Sequence, residues 1–134
     1  FSVVGFGQNW EFDIYSDLAS VIPEIPEVIG SLPTQEIYPI VFSSQGTDLL
    51  ISFKHIGNNI IISCNDLIND QKIGSPEKAT FEGVSRALSS FACSFLKISE
   101  TVHPQICGDK YFQSWRSSLL NATKLCGFEE ALDS

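Results

Sequence analysis

The sequence predicts an α+β domain, with an antiparallel β-sheet in its first half packed against two amphipathic helices in its second. Three observations carry this. Apolar and acidic residues alternate from Trp10 to Ile14. Two strand-like runs flank Gly57-Asn58, and beyond residue 75 the apolar period changes to three and four. The 134 residues fall within the usual size of one domain, so 1–134 is read as a single unit. With 43% hydrophobic and 18% charged residues, the composition is that of a folded chain.

Trp10-Glu11-Phe12-Asp13-Ile14 has the period-2 pattern of a half-buried strand, with Trp10, Phe12 and Ile14 facing the core and Glu11 and Asp13 outward. Residues 1–6 are expected to form a strand before it, turning near Gly7-Gln8-Asn9. Ser16-Asp17 is a candidate cap for a short helical segment reaching Ile22. Pro23, Pro26, Gly30 and Pro33 then punctuate an acidic stretch that reads as a surface loop, with any helix there only a turn or two long. Residues 36–42 read as a strand made irregular by Pro39.

Residues 48–55 and 59–64 form the next hairpin, around the turn residues Gly57-Asn58. If Ile56 pairs with Asn59, Phe53 meets Ile62 and Ile51 meets Cys64. Leu49, Ile51, Phe53, Ile60, Ile62 and Cys64 then share one face. Ser75-Pro76-Glu77 is a helix-start signal. The stripe Phe81, Val84, Leu88, Phe91, Phe95 and Ile98 predicts a helix over about 76–98. Phe112, Trp115, Leu119, Ala122 and Cys126 predict another over about 109–126, closed by Gly127.

Charge is distributed unevenly. The first 53 residues hold seven acids (Glu11, Asp13, Asp17, Glu24, Glu27, Glu36 and Asp48) and no Lys or Arg. The eight Lys and Arg all fall from Lys54 onward, where nine acids oppose them. The net charge of −8 is therefore almost wholly a property of the first 53 residues. Such a field disfavours direct nucleic-acid binding, which needs a basic stripe, and favours a cationic protein surface. The chain carries no apolar run of the roughly 20 residues that a membrane helix needs, and no basic segment leading into an apolar one opens it. A cytoplasmic protein without membrane contact is expected.

Sites for chemistry are sparse. Gly5-Phe6-Gly7 lacks the third glycine and the lysine of phosphate-binding loops. The four cysteines Cys64, Cys93, Cys107 and Cys126 include no close pair of the kind zinc sites use, and they read as reduced thiols, three of them at apolar core positions. His55 is expected at the turn end of the hairpin, facing solvent or a partner. His103 and Cys107 are four apart, but Pro104 disfavours the helix that would align them as a catalytic pair. Glu11 and Asp13 form no recognisable acid–base couple. Asn121-Ala122-Thr123 matches a glycosylation sequon by chance inside a helix. Trp10 and Trp115 read as core residues. No enzymatic activity, metal or cofactor is expected.

The Trp-Glu-Phe-Asp-Ile-Tyr strand at 10–15, the Leu-Leu-Ile-Ser-Phe and Asn-Asn-Ile-Ile-Ile-Ser hairpin, and the Phe-Gln-Ser-Trp helix start at 112–115 give the chain its overall character. In this it resembles the immunity proteins of contact-dependent growth inhibition and other bacterial polymorphic toxin systems. The resemblance implies a monomeric, cytoplasmic antitoxin. It would bind a cognate toxin domain 1:1, typically a basic nuclease, and block the toxin's active site or its access to substrate. The partner-binding surface is expected on Glu11, Asp13, Asp17, Glu24, Glu27 and Glu36, with Tyr15 and Tyr38 as aromatic anchors. The alternative is an acidic secretion chaperone that holds an effector segment as a homodimer. Such chaperones usually begin with a helix, against which the alternating N-terminal strand counts. A small-molecule enzyme would require a deep pocket with convergent polar groups.

Overall fold

The structure, a computed structural model, describes residues 2–6, 8–11, 21–44 and 47–125. Strands β1 (Ser2–Gly5) and β2 (Gln8–Glu11) form an antiparallel hairpin, with Val3 opposite Trp10. Gln8 and Asn9 belong to the second strand rather than to the predicted turn, whose Gly7 lies outside the described residues. The strand expected over 10–14 is described only as far as Glu11; Phe12, Asp13 and Ile14 lie outside the described residues, as does the proposed Ser16-Asp17 cap.

The stretch expected to be a surface loop is instead the innermost helix. A 3-10 turn over Ile22–Glu24 leads into α1 (Ile25–Ser31). Pro23 and Pro26 sit in the first turns, where a missing N–H costs no internal hydrogen bond. Ile25, Val28, Ile29 and Leu32 are sequestered almost completely, and each such side chain contributes about 1.5–3 kcal/mol relative to exposure. Proline spacing suggested a loop, but i, i+3, i+4, i+7 spacing of the same residues places them on one helical face.

The main sheet has strand order β3–β4–β5–β6, all neighbours antiparallel. Strand β3 runs Ile40–Ser44, not 36–42; Pro39 has no N–H to contribute, and pairing begins just after it. Strands β4 (Thr47–Ile56) and β5 (Asn59–Asp66) pair in the predicted register, with Ile56 opposite Asn59, Phe53 opposite Ile62 and Ile51 opposite Cys64. Gly57, at φ 61°, makes the turn. Leu49, Ile60 and Cys64 are buried on the predicted inner face, with Ile51, Phe53 and Ile62 packed around them. Asp66 closes the next turn by accepting from the backbone amides of Ile68 (2.9 Å) and Asn69 (3.2 Å).

Residues read as the first turn of a helix form β6 (Gln71–Thr80). Ile62 pairs with Glu77 and Cys64 with Ile73, so β6 bulges around Gly74-Ser75-Pro76. A bulge on an edge strand tolerates proline without loss of a ladder bond, so Ser75-Pro76 is not obliged to start a helix. The cap is Thr80, whose hydroxyl accepts from the Gly83 amide at 3.0 Å. Helix α2 then runs Phe81–Val102. Its buried side is Val84, Ser85, Ser89, Ala92, Cys93 and Leu96, a face rotated from the predicted stripe toward its small residues. Phe91 and Ile98, expected in the core, are exposed. A 3-10 segment, Pro104–Gly108, leads to α3 (Lys110–Leu125), whose start is capped by Asp109 accepting from Phe112 N at 3.0 Å.

Helices α1, α2 and α3 enclose the core with the inner face of the sheet. Phe112, Leu119 and Ala122 are buried as predicted, and Trp115 packs between Phe95 and Phe112 while its indole N–H donates to the Ile22 carbonyl at 2.9 Å. The antiparallel sheet with two C-terminal helices is the predicted α+β arrangement, to which α1 is added. Among the described residues, no helix is long and apolar enough to cross a membrane.

Candidate partner-binding surface

The predicted site residues divide into three groups. Asp13, Tyr15 and Asp17 lie outside the described residues. Glu11 ends β2, its backbone opposite Ser2. Glu24, Glu27, Glu36 and Tyr38 are all exposed; Tyr38 shares one cleft with Glu24 and another with Glu36, while Glu27 borders a third between α1 and α3.

Glu24 and Glu27 are three residues apart on the solvent side of a helix whose other side is core, so burial of Ile25, Val28 and Ile29 dictates their exposure. The segment after α1 is held by its own hydroxyls. Ser31 donates to the Val28 carbonyl at 2.8 Å and accepts from Tyr38 N at 2.9 Å. The Thr34 hydroxyl lies 2.7 Å from the Ser31 carbonyl and 3.0 Å from that of Glu36. This network fixes the backbone between Glu36 and Tyr38, a residue 56% exposed.

Three shallow clefts border these residues. One of about 430 Å³ runs between Val21 and Glu24 on one side and Tyr38, Pro39, Ile40, Val41 and Ser43 on the other. A second, about 230 Å³, lies among Glu36, Ile37, Tyr38 and Pro39. A third, about 290 Å³, sits across α1 and α3 between Pro23, Pro26, Glu27 and Tyr111, with Ser114, Trp115 and Ser118 beneath. None of these lining residues is Lys or Arg. Tyr111, missed by the sequence reading, is 87% exposed. The available signal was its position beside Phe112 but off the apolar stripe of α3, which turns an aromatic ring outward.

His55 lies at the turn end of the hairpin, as expected, but its ring is half-buried rather than turned to solvent. A ring nitrogen hydrogen-bonds the Leu32 carbonyl and the ring stacks on Phe81 at 5.7 Å, so it ties β4 to the end of α1. Cys64 and Cys93 are free, buried thiols, and Cys107 is free and exposed. Burial pushes the Cys64 thiol up, with the nearby Asp66 carboxylate adding to the effect. Burial likewise raises Cys93, partly offset by Lys97. Both are held as thiols rather than nucleophilic thiolates. Asp66 is shifted the other way, lowered first by the Asn69 side-chain amide and then by backbone amides. Among the described residues, no three His, Cys, Asp or Glu side chains converge to hold a metal ion.

No known protein family model matches the chain, and neither the curated proteins nor the solved structures contain a significant match to it.

Proposed function

We propose that the protein is an immunity protein that binds and neutralises a cognate toxin domain of cationic, nuclease type, in the cytoplasm and in a 1:1 complex. The observation that supports this best is the set of exposed carboxylates Glu24, Glu27 and Glu36, which with the exposed Tyr38 and Tyr111 border clefts lined by no cation. A nuclease presents a basic cleft to phosphate. An acidic surface competes for that cleft, speeds encounter, and sets partner choice more than affinity. Tyrosines desolvated at the centre of the contact supply the anchors.

The test is a pull-down with the full chain from its native source, followed by co-expression of the recovered domain with and without this protein. The expected result is a basic domain, bound 1:1, whose toxicity this chain abolishes. Glu24→Lys with Glu27→Lys should slow its association at low salt by roughly tenfold or more, and far less at high salt. An acidic partner, toxicity that persists on co-expression, or an obligate homodimer holding an effector segment would each overturn the reading.

A further inference from the structure

We infer that the edge of β3 that no described strand pairs is a docking site for an extended, lysine- or arginine-bearing segment of the partner protein, which adds to the main sheet as a fifth strand. The inference rests on the reading above only for the sign of the partner's charge.

The direction of the β3 backbone is fixed by its neighbours. The Asp48 carbonyl accepts from Leu67 N at 2.9 Å, so residue 48 points its backbone toward β5 and away from β3. Ser43, opposite Asp48, therefore points its N–H and C=O away from β4, and so does Val41 two residues earlier. Among the described residues, no strand pairs with this edge.

The two edges of the sheet are built differently. Strand β6 carries a bulge, Pro76, and the lysines Lys72 and Lys78, and Phe6 of the N-terminal turn docks against it through Gly74 and Glu77. These are the devices by which proteins keep an edge from recruiting another strand. Strand β3, Ile-Val-Phe-Ser-Ser, has none within it: its pairing with β4 is unbroken over five residues and it holds no charge. Val41 is 42% exposed beside the outward backbone groups.

The cleft along this edge selects the occupant. Glu24 and Tyr38 line it beside Val41 and Ser43, and Lys and Arg are absent from its lining. An added strand projects alternate side chains to the same face, so a segment with cations at alternate positions can turn one of them toward Glu24 whichever way it registers. A second copy of this chain, joined β3 to β3, would offer the cleft a strand without lysine or arginine, and so no cation for Glu24.

The probe is an eight-residue peptide alternating lysine and valine, titrated against the full chain at low salt while backbone amide exchange is followed. The expected result is saturable binding with slowed exchange at the Val41 and Ser43 amides. Binding should weaken at least tenfold when alternate peptide amides are N-methylated, when glutamate replaces lysine, or in Val41→Pro. Proline at 41 removes only an outward N–H, so the fold should survive; Val41→Lys, a charged edge, supplies a second variant. No binding, equal binding of the N-methylated peptide, or protection of β3 only through self-association would overturn the inference. A toxin domain bound equally by wild type and Val41→Pro would overturn the edge assignment while leaving the proposed function intact.

Discussion

Gly74 and Gly57 share the same backbone angle, φ 61°, but not the same surroundings, and Ala substitution at the two separates local strain from tertiary docking. A Cβ at Gly57 meets nothing within 4 Å. Gly57→Ala should therefore cost only the left-handed conformation, about 1–2 kcal/mol. A Cβ at Gly74 would lie 2.4 Å from the Phe6 carbonyl oxygen, roughly 1 Å inside ordinary contact. Either the bulge or the N-terminal turn must move. If the turn moves, the 2.8 Å hydrogen bond from Phe6 N to the Glu77 carboxylate is lost. An exposed, charge-assisted bond of that kind contributes about 1 kcal/mol, and displaced Phe6 packing adds to it. Gly74→Ala should thus cost about 2–4 kcal/mol. With a urea m-value of about 1–3 kcal/mol/M, the extra cost of about 1–2 kcal/mol should put its midpoint below that of Gly57→Ala by about 0.3–2 M. Amide exchange in β1 should accelerate in Gly74→Ala alone. Equal midpoints and equal exchange in the two variants would refute the claim that Phe6 and Gly74 hold the hairpin to the sheet edge.

Ser85 and Ser89 bury hydroxyls that have no hydrogen-bond partner among the described residues, so Ser89→Ala should stabilise the protein by about 0.5–2 kcal/mol, read as a rise in the urea midpoint. Ile29→Ala should cost about 2–5 kcal/mol in the same assay, a loss no surface-loop residue would cause. The Asp66 carboxyl is lowered in the folded state, so the unfolded chain binds its proton first as pH falls. Its contribution is complete above the unfolded value, about 3.9, and is lost as pH drops through the folded one. Asp66→Ala should flatten that acid limb in a pH series of unfolding curves. Among Cys64, Cys93 and Cys107, iodoacetamide should modify Cys107 first, with the other two reacting only on unfolding, as peptide mapping would reveal.

The β4–β5 hairpin was legible in full because two independent constraints agree there. A two-residue turn at Gly57-Asn58 and apolar alternation on both strands admit the same register. Helix α3 was legible because its apolar stripe is clean and Asp109 caps it. The α1 and β6 regions were misread for opposite reasons. In α1, prolines at first-turn positions look like breakers although they are compatible with a helix start. In β6, a Ser-Pro pair looks like a start although an edge bulge accommodates it, and the strand carries too few apolar residues to announce itself: only Ile73 and Ala79 are half-buried hydrophobics. The buried face of α2 was displaced because small residues, not large ones, permit close approach, so Ser85, Ser89 and Ala92 turn inward while Phe91 stays out.

The acidic surface was legible only as composition. A charge split states that carboxylates outnumber cations over a stretch of chain; it does not state which of them share a face. Burial of α1 supplies that step for Glu24 and Glu27, since a helix with its apolar side fully sequestered must turn its carboxylates outward. The edge of β3 required more, because edge status depends on strand order, which pairs residues distant in sequence and leaves no local periodic mark. The two features nonetheless share one cause. The Ser31 and Thr34 hydroxyls fix the segment between α1 and β3, and that segment, through Tyr38 and Pro39, shares one cleft with Glu24 and with Val41 and Ser43 of the strand. Ser31→Ala therefore tests both at once: losing the bond to Tyr38 N should loosen the cleft and weaken binding of the lysine–valine peptide, while the distant β4–β5 hairpin keeps its amide protection. Loss of hairpin protection in parallel with binding would mean that Ser31 supports the whole core rather than the geometry of this surface.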